Sequence, residues 1–231
     1  MKTVVSISAL SLLALPSVAS ANVVNVSQSR AVQARASFVP NVDDSTAATG
    51  PWNASVTNIT SPDFPSGGTG SQTSSVSTTR FNAVGSVSAN DYLQGYSGGA
   101  SSAFEATFDV TANTAYSLVG SWTTNYDFFA LAPAAGLRFE RLSPNPAVFH
   151  HSFFFDDTFS GGSFQTAGSA NLAGVLTPGR YRVAVNVNLS VFGNPGIFSG
   201  GGSYNLDLIV PTPAVATLAP MVALAGLRRR R

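Results

Sequence analysis

Large apolar residues occupy nearly every second position along three segments of this chain, residues 104–110, 181–189 and 204–210. Successive side chains of a β-strand point to opposite faces, so the alternation predicts strands with one buried face and one wet face. Outside the two ends of the chain, no window of about a dozen residues follows the period of a helix. The pattern therefore predicts an all-β fold. The apolar positions of the first segment are Phe104, Ala106, Phe108 and Val110.

Shorter runs of β-forming residues fill much of the chain between these segments. Together they predict about eight to ten strands, a number that suits an antiparallel β-sandwich or jelly roll. We expect this domain to span residues 51–210. Residues 22–50, which have no aromatic residue before Phe38, fit either an early strand or a flexible leader. The further strand candidates are residues 74–79, 80–89, 115–122, 127–131, 137–142, 148–155 and 171–176.

Ser, Thr, Gly and Asn dominate residues 52–99. Composition alone would fit a flexible linker. Because Val76, Phe81, Val84 and Val87 lie among β-forming residues, we expect strands between residues 72 and 89.

Thr177, Pro178 and Gly179 predict a tight turn, since Pro fixes φ and the following Gly accepts a positive φ. We expect this turn to form a hairpin between a strand that ends near Leu176 and a strand that begins at Arg180. Residues 176–183 resemble the L-x-P-G-x-Y-x-V hairpin of many exported bacterial β-sandwiches, including pre-peptidase C-terminal domains. The resemblance implies a fold and no activity.

The first 21 residues have the three parts of a secretory signal peptide. Lys2 supplies the basic start, residues 4–15 supply an apolar stretch too short for a good membrane span, and Ala19 and Ala21 supply the small residues of a cleavage site. We therefore expect an N-terminal signal helix and an exported chain that begins at Asn22.

The C-terminus places Pro211, Thr212 and Pro213 before an apolar stretch, residues 214–227, which ends in Arg228, Arg229, Arg230 and Arg231. As a helix this stretch would span about 21 Å, short of the ~30 Å hydrocarbon core of a bilayer. The arginines would resist translocation and stay in the cytoplasm. We expect an apolar helix that is held in the membrane transiently while the rest of the chain lies outside.

This arrangement resembles the PEP-CTERM sorting signal of bacterial envelope proteins, which consists of a Pro-Glu-Pro motif, an apolar helix and an arginine cluster. Thr212 stands where that family usually has Glu, so the motif is a variant. The resemblance covers residues 211–231 and implies two partners: the export machinery and an exosortase-like membrane transpeptidase. It also implies a final location on the cell surface or outside the cell.

Charge is distributed unevenly along the chain. Of the 12 basic residues, five lie in the two terminal segments, and the seven arginines between them are scattered among all 11 acidic residues. This middle region carries a net charge of about −4. An electrostatic footprint for nucleic acid needs clustered basic residues, so we expect no nucleic-acid binding.

Few residues suit catalysis. The chain has no cysteine, which excludes a disulfide framework and a thiolate site, and it has no G-x-S-x-G nucleophile elbow. Glu105 and Glu140 are the only glutamates, and the alternation places both on the solvent face. The sequence does not exclude a pair of carboxylates that catalyses glycoside hydrolysis. We expect a protein without enzymatic activity or cofactor.

No metal site is predicted. His150 and His151 are adjacent, so a regular strand would point them to opposite faces. Asp156 and Asp157 could supply oxygen ligands for Ca²⁺ together with Asp127 or with residues 43–44. An acidic turn at the end of a strand is the favoured interpretation, since the chain has no EF-hand loop or glycine-aspartate repeat.

These observations predict an exported structural protein of the cell surface or extracellular matrix, with no assigned molecular activity. The alternative is a carbohydrate-binding module for surface polysaccharide, with Trp122 and Tyr126 as candidate glycan contacts. Trp122 also continues an alternation that would place it in the core. The other aromatic candidates are Trp52, Tyr92 and Tyr96.

Overall fold

The computed structural model describes residues 23–60, 66–92, 96–127, 130–143, 147–154, 163–192 and 198–211. These residues form strands and connections and contain no helix, so the all-β prediction is confirmed. In chain order the strands are β1 (Val23–Ala36), β2 (Val39–Thr46), β3 (Gly50–Ile59), β4 (Gly67–Val76), β5 (Arg80–Asp91), β6 (Ser97–Val110), β7 (Thr114–Asp127), β8 (Ala130–Ser143), β9 (Ala147–Phe154), β10 (Ser163–Leu176), β11 (Gly179–Phe192) and β12 (Phe198–Ile209).

The strands form two six-stranded sheets, and every strand pair in them is antiparallel. Sheet 1 has the order β2-β1-β6-β11-β8-β9, and sheet 2 has the order β10-β7-β12-β5-β4-β3. Their inner faces share one hydrophobic core that includes residues from both sheets.

An aromatic cluster holds the two sheets together at one end of the core. The ring of Phe81 from sheet 2 stacks on Phe108 from sheet 1, with ring centroids 4.7 Å apart. Phe139 and Tyr181 lie 6.4 and 5.9 Å from Phe108, and all four side chains are buried. Such ring pairs add to the stabilisation that comes from burying their area.

At the other end of β6, glycines of β6 and of its neighbour across the core, β4, contact each other in place of large side chains. A Cβ on Gly98 of β6 would lie 2.3 Å from the carbonyl oxygen of Gly67 on β4. A Cβ on Gly68 would lie 2.0 Å from the carbonyl oxygen of Gly99. Because the two backbones approach this closely, only glycine fits at these positions.

A buried polar contact also joins the sheets. The hydroxyl of Tyr204 in sheet 2 lies 3.0 Å from Ser102 Oγ in sheet 1, and Ser102 Oγ donates to Gln72 Oε1 at 3.4 Å. All three residues are buried, and burial raises the pKa of Tyr204 well above its usual range. Buried polar groups need such partners, so this contact constrains how the sheets align.

The connection at Thr177 and Pro178 does not form the predicted hairpin. β10 pairs with β7 in sheet 2, whereas β11 pairs with β6 and β8 in sheet 1. The Tyr181 hydroxyl donates to the carbonyl of Thr177 at 2.8 Å. This is the geometry of a tyrosine corner, in which a tyrosine fixes the chain where it passes between sheets. The hairpin prediction is therefore wrong, and the turn is a crossing.

Residues 22–50 were expected to form either an early strand or a flexible leader. The structure has two strands there, β1 and β2, within residues 23–46.

The Arg30 side chain of β1 is 1% exposed. Its Nη1 donates to the Gly50 carbonyl at 2.8 Å, its Nη2 donates to the Ala48 carbonyl, and the guanidinium lies 5.8 Å from the centroid of the Trp52 ring. Burial lowers the Arg30 pKa. The side chain thus ties β1 to the start of β3.

Several predicted strand boundaries were wrong. The structure has more strands than the eight to ten expected, because β2 and β3 were not predicted, and β4 was expected only from residue 72 onward. Predicted strand 74–79 extends past the end of β4 into the turn at Ser77. Predicted strand 127–131 covers the end of β7 and the start of β8.

The period-two interpretation of β11 is confirmed by its burial. Tyr181, Val183, Val185, Val187 and Leu189 are all at most 2% exposed, and the residues between them face outward.

We predict that Val185→Asp and Asn186→Asp differ sharply in stability. Val185 is buried, so an unpaired charge there costs several kcal/mol against a total stability of about 5–15 kcal/mol. Asn186 is exposed, and its substitution changes the free energy of unfolding by about 0.5 kcal/mol or less. Thermal melts of the two purified proteins measure this, and equal effects would contradict the burial of alternate residues.

Candidate functional site

Small uncharged polar residues cover the outer face of sheet 2. Strand register aligns them in rows that cross all six strands. We define the polar face by its two central rows. The first row is Asn53, Thr73, Val84, Asn205, Ser121 and Ser169, and the second row is Ser55, Ser71, Ser86, Ser203, Thr123 and Ala167.

Neighbouring side chains of the polar face bond to one another across the strands. The hydroxyls of Ser71 and Ser86 lie 2.7 Å apart, and those of Thr123 and Ser203 lie 3.0 Å apart. Thr73 donates to Asn53 Oδ1 at 3.1 Å. Opposite-strand pairs of this kind stabilise a sheet by about 0.2–1 kcal/mol each. The face therefore contributes to the stability of the sheet as well as to its surface chemistry.

Charge is scarce on this side of sheet 2. Among its outward side chains that the structure describes, the charged ones are Arg80 and Asp207, which form a two-point ion pair at 2.7 and 3.0 Å. The hydrogen bond to Asp207 raises the pKa of Arg80. The polar face thus offers hydroxyl and amide groups at strand spacing, about 4.8 Å, with no net charge.

The outer face of sheet 1 is different, because it carries paired charges on three neighbouring strands. We call this set the ionic ladder. Arg180 bonds Asp109 at two points, 2.8 and 2.9 Å, and this lowers the pKa of Asp109. Arg182 links two strands through both glutamates. The ladder consists of Glu105, Asp109, Arg138, Glu140, Arg180 and Arg182.

The two glutamates have different surroundings. Glu105 is exposed as predicted, and it lies 3.9 Å from Arg182. Glu140 points outward but is only 7% exposed, because Arg182 Nε at 2.6 Å and Arg138 Nη2 at 2.5 Å cover it. Glu140 thus lies on the predicted face of its strand, but the two arginines shield it from solvent. Both arginines therefore engage the Glu140 carboxylate on the outer side of sheet 1.

The aromatic candidates for glycan contact whose side chains the structure describes do not form a row. Trp122 is 2% exposed, so the core interpretation of this ring is confirmed. Its ring covers Gly168 on the neighbouring strand, where a Cβ would lie 2.1 Å from Trp122 Cζ2. The backbone of Tyr126 lies opposite Gly200 and Phe164. The side chain of Tyr126 lies outside the described residues.

The other three aromatic candidates lie apart from Trp122. Trp52 is half-buried beside Arg30, and Tyr92 is 40% exposed at the end of β5. Tyr96 contacts Phe38 edge to face, with ring centroids 5.4 Å apart.

The structure describes only some of the residues that were considered as metal ligands. His150 lies opposite Arg138 and His151 opposite Leu137, consecutive positions of β9. Residues 43 and 44 lie exposed on edge strand β2. Among the described residues, no three His, Asp or Glu side chains come together as a metal site. Asp156 and Asp157, like the side chain of Asp127, lie outside the described part.

The sorting and cleavage candidates lie at the limits of the structure. Pro211 is the last described residue, and it is exposed. Ala19, Ala21, Thr212, Pro213 and residues 228–231 lie outside the described ranges. In the part of the chain that the structure covers, no helix is long and apolar enough to cross a membrane.

No family model matches the chain, and no curated protein matches it. Among solved structures it is similar to the enzymatically active domain of bacteriophage CBA120 tailspike protein 4, with 14% identity and a TM-score of 0.21 over 78% of this chain. The chain spans 19% of the length of that tailspike chain. It is also similar to the infectious bursal disease virus Gt strain, with 12% identity and a TM-score of 0.20, covering 85% of this chain and 67% of that chain. TM-scores as low as these support no inference about function.

We predict that the two glutamates of the ionic ladder contribute unequally to stability. Glu140→Gln leaves two arginines without their carboxylate in a largely buried position, and it should lower the free energy of unfolding by about 1–3 kcal/mol. Glu105→Gln is the matched control and should cost less than about 1 kcal/mol, because exposed pairs contribute little. Urea unfolding measures both. Equal losses would show that burial of Glu140 does not matter.

Proposed function

We propose that this chain is an exported structural protein of the bacterial cell surface or extracellular matrix, sorted through its C-terminal tail. In this proposal the two sheets form the predicted β-sandwich, with a signal helix before it and an apolar helix after it. The face-to-face core shared by both sheets supports the sandwich. The signal peptide and the tail reinforce each other, since a sorting signal serves only an exported chain.

One observation supports the structural role: on each outer face, polar or charged side chains pair with neighbouring side chains of the same face. On the polar face, hydroxyl and amide groups pair across strands, and on the ionic ladder each arginine contacts a carboxylate. Surfaces of this kind stabilise long strands in water and leave few groups aimed at a reacting molecule. This supports a stable building block better than it supports an enzyme.

The tail supplies the sorting step of the proposal. Residues 214–227 would hold the exported chain in the membrane while Arg228 to Arg231 stay on the cytoplasmic side. An exosortase-like transpeptidase would then cut near residues 211–213 and release the domain to the surface. The exposed position of Pro211 supports access to that segment.

Carbohydrate binding has less support as the alternative. Burial of Trp122 removes the stacking surface that this hypothesis needs most. The two rows of the polar face contain no aromatic residue. Surface polysaccharide therefore enters the proposal only as a neutral partner that the hydroxyl and amide groups could bind.

We predict that deletion of residues 228–231 sends the protein into the medium with its tail uncleaved, because nothing then resists translocation of the apolar segment. Replacement of the four arginines by lysines is the matched control, and it should preserve membrane retention because the charge is kept. Fractionation and intact mass measure location and cleavage. An unchanged location and mass in the deletion variant would contradict the sorting role.

A further inference from the structure

Among the residues that the structure describes, four strands form the edges of the two sheets, β2 and β9 in sheet 1 and β10 and β3 in sheet 2. An edge strand presents unpaired backbone N–H and C=O groups, so it is a template for pairing with another chain. Proteins usually protect such edges with proline, charge, bulges or short strands.

Three of the edges have such protection. β2 contains Pro40, Asp43 and Asp44, and its pairing with β1 shifts register near Ala34. β3 contains Pro51 and lies against β2, where the Asn58 side chain donates to the Pro40 carbonyl at 2.8 Å. β9 has only eight residues, and its register with β8 also shifts.

The fourth edge, β10, has none of these features. It pairs with β7 at 14 consecutive positions without a bulge, and its sequence contains no charged residue and no proline. Val175 is 64% exposed on this strand. A long, regular and uncharged edge is the kind that pairs with another strand.

We propose that β10 pairs antiparallel with β10 of a second copy of this chain. A second copy suits this edge, because two uncharged strands meet without like-charge repulsion and a two-fold contact closes on itself. The inference rests on the proposed structural role in one respect, since the pair would be the unit of assembly.

Symmetry determines how the two copies meet. A two-fold axis between antiparallel neighbouring strands runs perpendicular to the sheet, so both copies keep their polar face on the same side. The rows that end at Ser169 and Ala167 would then continue into the second copy. Pairing makes a twelve-stranded sheet with one continuous polar surface, on which the described charges are the paired Arg80 and Asp207 of each copy.

The absence of native cysteine allows a direct test in the full chain as the cell exports it. Single cysteines replace Ser169, Asn171 or Ala173, which are all exposed on β10. The two copies of one cysteine lie about 5 Å apart if they face each other across the β10 pair, and about 7–8 Å apart if they are diagonal neighbours. A short bis-maleimide crosslinker spans both distances. Ser203→Cys on β12 is the matched control, since its copies would lie about 24 Å apart at five strand spacings.

We predict crosslinked dimers of this chain from at least one β10 cysteine and none from Ser203→Cys. Adding Asn171→Lys to Ser169→Cys should reduce the dimer at least fivefold through like-charge repulsion, whereas adding Asn205→Lys should leave it unchanged. Equal crosslinking at β10 and Ser203, no crosslinking at β10, or adducts only with other proteins would each overturn the proposal. The crosslink is measured in both cell and medium fractions, so its failure is distinct from failure of the sorting role.

Discussion

Face-to-face packing of the two sheets is the constraint on which the rest of the structure depends. Phe81 and Phe108 meet across the sheets at 4.7 Å, and the glycines of β4 and β6 bring the backbones together at the other end. Once alternate residues must fill this core, the residues between them must face outward. The polar face and the ionic ladder are therefore consequences of the core.

The sequence predicted the strands whose inner residues are large and apolar. Residues 104–110, 181–189 and 204–210 alternate as expected, because each inner position there is filled by an apolar side chain or a tyrosine. The first half of β4 escaped prediction because the inner positions of this strand include Gly68, Gly70, Gln72 and Ser74. These residues are buried by the close approach of β6, which leaves no hydrophobic period in the sequence.

The turn at residue 178 shows a second limit of local patterns. Pro followed by Gly predicts a turn, but the turn does not show whether the two strands share a sheet. The deciding group is the Tyr181 hydroxyl, which bonds the Thr177 carbonyl four residues earlier. A tyrosine four residues after Thr177 was therefore the sequence signal that the chain passes from sheet 2 to sheet 1 at this turn.

The candidate surface was harder to predict than the core. Ser, Thr and Asn on a solvated strand have the same composition as a flexible linker, and only strand register aligns them in rows. Trp122 had two interpretations in the sequence, and its environment decided between them. Glu140 was assigned to the correct face, but its burial under two arginines depends on residues of the neighbouring strand as well as its own.

Amide hydrogen exchange tests most directly whether the segments rich in Ser, Thr and Gly are strands of a packed sheet. The account predicts that peptides covering residues 67–76 and 80–91 exchange about as slowly as those covering residues 179–192, because all three form paired strands over one core. Complete exchange of the first two within seconds, while residues 179–192 stay protected, would contradict the packed sheet and with it the polar face.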